Sequence, residues 1–179
     1  MKLQHFLAVL GAQTALLLAL IAQQELRLAS PTTVLLETAP VDPRDLLRGD
    51  YVILGYKIST LTNSLWDSPA FAKTPEGTTV FVSLEKRGPF HEAVQISQSL
   101  PPQEPSRVVL QGRVAHSWNT NVTRVEYGLE RYYVKEGTGN PRGKITVEAA
   151  VPADGKAAIK NVFLDGKPYA EAMRQQPRE

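Results

Sequence analysis

An all-β domain, an antiparallel barrel or sandwich, carried on one N-terminal transmembrane helix is the architecture that this 179-residue sequence predicts. Three observations predict it. The most apolar stretch lies at the start, over residues 6–22 (FLAVLGAQTALLLALIA). After it come about seven to nine short segments rich in β-branched and aromatic residues, punctuated by Gly, Pro, Asn and Asp. Helical signals are almost absent from that part, a short turn at 42–49 excepted.

The composition sets outer limits. Hydrophobic residues at 42% and charged residues at 21% suit a globular chain with a sizeable core. The net charge of +2 comes without a basic block, so the phosphate-neutralising cluster that a nucleic-acid partner demands is missing. The chain has no cysteine, which excludes disulfides, thiolate metal sites, cysteine nucleophiles and a lipid-modified N-terminal cysteine.

The apolar run is broken only by Gln13 and Thr14. At about 17 residues it meets the lower end of what a bilayer span needs. A cleaved secretory signal also pairs a basic start with an apolar middle, and a buried core helix is a third reading. A signal would end in a small-x-small site, and Leu20 stands where a small residue is wanted before Ala22. A retained anchor over 1–24 is therefore expected. Lys2 and the amino terminus precede the apolar run, with His5 as a part-time third charge, and Glu25 and Arg27 follow, which favours a cytoplasmic N-terminus and a β domain outside the cytoplasm.

The elements of that domain, placed over 25–170, read in order. Residues 33–38 (TVLLET) suit a first strand. Over 42–49, Asp42 can cap free amides, Pro43 suits the first helical position and Gly49 the stop, predicting a short helical turn. A strand is expected over 50–60, with Val52, Leu54, Tyr56 and Ile58 on the core face. An irregular segment over 61–77 is pinned by Trp66 and Phe71, and strands follow over 78–87, 91–97 and 107–118. A long tyrosine-rich strand is expected over 124–135. Residues 145–151 and 157–164 form a hairpin through Asp154-Gly155, with a second turn at Asp165-Gly166. A loose tail over 171–179 ends the chain.

Three motifs in order carry a family resemblance. They are Gly49-Asp50-Tyr51 with Leu54 and Tyr56, the lead-in from Pro40 to Arg48, and Tyr127-Gly128-Leu129-Glu130-Arg131-Tyr132-Tyr133-Val134 with Glu136-Gly137-Thr138-Gly139. In these the chain is similar to the bacterial GDYXXLXY protein family over essentially its whole length. The resemblance implies a membrane-anchored protein and a multi-spanning membrane protein as partner. It brings no catalytic residues.

His5, His91 and His116 are scattered, so no metal centre is expected, and Gly137-Thr138-Gly139 lacks the helix and lysine of a phosphate loop, so no cofactor is expected either. Asn121-Val122-Thr123 fits a glycosylation triplet, a pattern frequent by chance. Ser30-Pro31-Thr32 followed by Gly49-Asp50 resembles signal peptidases, membrane-anchored serine–lysine hydrolases. The methionine of that pattern is missing and the gap is long, and neither Lys57 nor Lys86 sits in a matching context for the base. The charges on 124–135 leave three readings. They are solvated on an edge strand, or they form ion pairs such as Glu130 with Arg48 or Arg131 with Asp50. Otherwise they line a cleft with Tyr51, Tyr56 and Tyr132. The expected function is a non-enzymatic accessory or binding module, with the hydrolase and a small-ligand carrier as alternatives.

Overall fold

The computed structural model describes residues 3–30, 32–39, 51–68, 74–115, 121–135 and 141–175. Helix α1 spans Leu3–Leu28 and buries none of its residues. Its apolar side chains point in every direction, the pattern of a helix made for an apolar surrounding on all sides. With a mean hydropathy of 2.0 over its best window, α1 is long and apolar enough to cross a membrane.

Eleven strands follow among the described residues: β1 (Thr33–Glu37), β2 (Tyr51–Ile53), β3 (Thr60–Thr62), β4 (Thr79–Arg87), β5 (Phe90–Ser97), β6 (Arg107–Val114), β7 (Val122–Glu126), β8 (Arg131–Tyr133), β9 (Ile145–Ala150), β10 (Ala158–Leu164) and β11 (Lys167–Pro168). They form three antiparallel sheets in the orders β1-β9-β10-β11, β2-β8 and β3-β7-β6-β4-β5. None closes on itself, so of the two architectures expected the fold is sandwich-like and not a barrel. Alternation along the strands builds one core. Val34 and Leu36 of β1, Val147 of β9 and Leu164 of β10 join Val80, Val82 and Leu84 of β4 and Leu110 of β6, all buried in a single cluster. Each such side chain contributes about 1.5–3 kcal/mol relative to an exposed one.

The hairpins follow the turn chemistry. Gly155 donates its N–H to the Pro152 carbonyl at 2.9 Å to close the β9–β10 turn. Asp165 and Gly166 both take positive φ, 50° and 79°, the mirror-image turn that matches strand twist. Trp66 is buried as expected, its indole N–H donating to Thr123 Oγ1 at 2.9 Å. Phe71 and the helical turn expected at 42–49 lie outside the described residues, as do residues 116–118 of the expected strand over 107–118.

Two expected long strands are each divided. Residues 50–60 hold β2, then a 3-10 turn at Lys57–Ser59, then the start of β3. Residues 124–135 hold β7, a break at Tyr127–Glu130 and β8. The two divided segments are partners. Tyr51 lies opposite Tyr133 and Thr62 opposite Val122, so eleven positions separate these pairs on both strands. The ribbon therefore keeps its register through a corner, where Gly128 takes φ +78°. Burial passes along Thr123, Val125, Tyr127 and Leu129 and then changes parity, leaving Arg131 and Tyr133 exposed. The single alternation expected over 124–135, with Leu129, Arg131 and Tyr133 on one face, is corrected by that corner.

The chain's end also differs from expectation. Tyr169–Gln175 is a helix, α2, with Tyr169, Ala172 and Met173 buried, so the part of the tail up to Gln175 is packed against the body. Glu171 in the first turn and Arg174 in the last match the helix dipole.

Candidate functional site

The corner of the bent ribbon gathers most of the residues that the sequence singled out. Pairing of β2 with β8 sets Val52 opposite Tyr132 and Ile53 opposite Arg131, and the Leu54 N–H donates to the Glu130 carbonyl at 2.8 Å. Tyr51, Tyr56, Glu130, Arg131 and Tyr132 are thus brought to one corner. Arg48 and Asp50, and with them the ion pairs to Glu130 and Arg131, lie outside the described residues.

The inner half of this corner is a hydrogen-bonded brace. Tyr56 is buried and its hydroxyl donates to the Leu129 carbonyl at 2.7 Å. Tyr127 crosses the other way, its hydroxyl donating to the Ile58 carbonyl at 2.6 Å. Glu130 accepts the Tyr127 N–H on Oε1 at 2.6 Å. Burial, seconded by the nearby Glu130 charge, pushes both phenols far above their ordinary range, so each stays protonated and keeps donating. These groups hold the bend. They are not acid–base machinery.

The outer half is different in character. The Arg131 guanidinium lies 5.6 Å from the centre of the Tyr51 ring, and Tyr51 meets Tyr133 with ring centroids 5.9 Å apart. Tyr132 turns the other way and packs edge-on against Tyr169 at 5.4 Å. Burial, then the neighbouring Tyr132, raises the Tyr169 hydroxyl to about 12. An open cleft of about 450 Å³ runs along this outer half. Arg131, Tyr132 and Tyr133 form one wall, and Gln24 and Arg27 from the last turns of α1 another, with Ala158 of β10 beside them. The two arginines supply permanently charged forked donors, and the tyrosines supply flat amphipathic surface. Such a lining can hold an anion or an amphipathic group.

The family model for the GDYXXLXY protein matches residues 13–162, from within α1 into β10. The chain belongs to the GDYXXLXY family. Three motif positions that give the GDYXXLXY family its name fall on the corner just described. Tyr51 opens β2 on the outer half, while Leu54 and Tyr56 are buried on the inner half. Comparison with curated proteins and with solved structures gives no match.

Other candidate chemistry is occupied or dispersed. Ser30 donates its hydroxyl to the Val151 carbonyl at 2.7 Å, and Lys57 is paired with Glu37 at 2.6 Å. His91 sits on β5, where Nδ1 accepts the Leu35 N–H at 3.2 Å. Among the described residues no group of three or more His, Cys, Asp or Glu could hold a metal ion. The sequence reading missed Gln24, Arg27, Tyr133 and Tyr169 as parts of this region. Arg27 could have been found, since it is the first base after the apolar run. The other three depend on tertiary placement alone.

Proposed function

We propose that this GDYXXLXY protein is a membrane-anchored accessory module, its β domain outside the cytoplasm, serving a multi-spanning membrane protein beside it. The observation that carries this reading is the junction between helix and domain. α1 ends at Leu28 and β1 begins at Thr33, leaving four residues between them. Two of those residues are tied to the domain, the Ser30 hydroxyl donating to the Val151 carbonyl and the Val151 N–H donating to the Thr32 carbonyl at 2.9 Å. A domain joined to a span so closely works at the membrane surface, where a second membrane protein is within reach. Lys2 and the amino terminus ahead of α1 support the orientation.

The absence of cysteine makes the test clean. Ala153→Cys, in the exposed β9–β10 turn, should react with a membrane-impermeant maleimide on intact cells, whereas Lys2→Cys should react only after lysis. Crosslinking in native membranes should then join the domain to a multi-spanning protein. Protection of position 153 in intact cells would reverse the orientation, and crosslinks only to soluble proteins would end the accessory reading.

A further inference from the structure

The cleft at the end of α1 has a property that the accessory role leaves unused. Two arginines from parts of the chain far apart in sequence line it, Arg27 at the end of the helix and Arg131 on β8. Among the described residues neither forms an ion pair, and the carboxylate nearest in sequence to Arg131, Glu130, is turned inward onto the Tyr127 N–H. Arg131 and Tyr133 are exposed, Tyr133 at 71%. Among the described residues this leaves two arginines without a carboxylate partner beside an exposed tyrosine, a lining whose charge and shape favour an anionic, amphipathic occupant.

The helix says where that occupant is. Arg27 lies five residues beyond Ala22, the last residue of the apolar run. At the rise of an α-helix that is roughly 7 Å above the hydrocarbon boundary. The headgroup layer on each side of a bilayer is of about that thickness. The cleft therefore opens at headgroup depth, where tyrosines gather and arginines meet phosphate.

We infer that the cleft formed by Arg27, Arg131 and Tyr133 binds the phosphate of an anionic phospholipid from the leaflet into which α1 emerges. This rests on the anchored reading above. The lipid would lock the domain's tilt, since one of its contacts is on the span and the other on the sheet. Arg131 is already held in place by Tyr51, which gives the first residue of the β2 motif strand a role that its local structure does not require.

The full chain, reconstituted in mixed phosphatidylcholine–phosphatidylglycerol vesicles, is tested in two steps. Flotation after carbonate treatment reports anchoring, and native mass spectrometry of the extracted protein reports which lipids remain bound. Wild type should float and retain phosphatidylglycerol in excess over its share of the vesicle. Arg27→Gln and Arg131→Gln should each lower that excess about fivefold, the effect expected of one basic residue at a charged membrane surface. Arg131→Lys should keep most of it, and Arg124→Gln, an exposed base on β7 outside the cleft, should leave it unchanged. Protein that floats without lipid preference overturns the inference and leaves the anchor standing, as does a preference that Arg124→Gln lowers equally. Protein that does not float ends both. A photocrosslinker at position 133 that captures protein in place of lipid in native membranes also overturns the inference.

Discussion

Tyr56 shows how a signature residue can be explained by a single hydrogen bond. Its ring fills the core at 2% exposure, and its hydroxyl satisfies the carbonyl of Leu129, at the point where the ribbon stops pairing regularly. Tyr56→Phe keeps the ring and leaves that buried carbonyl unpaired, at a cost of about 1–3 kcal/mol. For a chain of this size each kcal/mol lowers the midpoint by about 2–4 °C, which differential scanning fluorimetry of the detergent-solubilised protein will read. Two glycines make a complementary pair. A Cβ on Gly112 would press on the Val125 side chain and lie 2.9 Å from the Glu126 carbonyl oxygen, where β6 meets β7. A Cβ on Gly128 would meet nothing within 4 Å, and only its φ of +78° resists substitution. Gly128→Ala should therefore lose about 1–2 kcal/mol through backbone strain alone. Gly112→Ala should lose about 1–3 kcal/mol through overpacking against rigid neighbours. Chemical denaturation of both variants will separate them, and a second substitution, Val125→Ala, should recover part of the loss only for Gly112→Ala.

At the level of elements, His91 marks the approach of two sheet edges. β1 ends one sheet and β5 ends another, and His91 Nδ1 accepts the Leu35 N–H between them. Burial lowers the imidazole below its ordinary 6.5, and the Lys86 charge opposite it on β4 adds to the lowering. A depressed folded value means that the folded state binds its proton later than the unfolded chain. The contribution is therefore fully present above pH 6.5 and is lost as pH falls through the folded value. Melting temperatures measured from pH 8 to pH 5 should decline over the acid half. In His91→Gln, whose amide oxygen can still accept the Leu35 N–H, that part of the decline should flatten. An unchanged slope would assign the acid sensitivity to other groups. Much of this level was legible beforehand. Strand alternation named Val52, Leu54, Tyr56 and Ile58 as candidates for burial, and Asp-Gly pairs located both late turns, because these are local properties of the chain. The corner was not legible. A 3-10 turn at Lys57–Ser59 and a break at Tyr127–Glu130 arise because two segments change sheet together, and pairing partners are not written in either segment alone. Gly128 was the one available hint of the break. The helix at Tyr169–Gln175 was missed because seven residues give too short a period to stand out from a polar tail.

For the whole molecule, the same division between local and distant information governs the functional site. The apolar helix was readable from composition, yet Arg27 and Arg131 share a cleft only because Ser30 and Thr32, just beyond that helix, are hydrogen-bonded to Val151 at the end of β9. That arrangement assigns separate roles to helix and domain, and the roles can be separated experimentally. No residue of α1 is buried within the chain, so the helix adds nothing to the β domain's core, and its apolar surface is that of a membrane-crossing helix. Replacing Leu16 and Leu17 together by arginine places two charges near the middle of the span, each costing about 2.5–3.5 kcal/mol of insertion free energy. The variant should leave the carbonate-resistant membrane fraction, while the thermal unfolding of its β domain stays within about 2 °C of wild type, since surface changes away from the core alter stability little. Intact mass of wild type purified from membranes should equal that of the full chain, because a retained anchor keeps α1 whole. A mass lacking the N-terminal segment would identify α1 as a cleaved signal and free the domain from the surface. Membrane release accompanied by collapse of the domain would show instead that the helix is part of the fold, contrary to its exposure over residues 3–26.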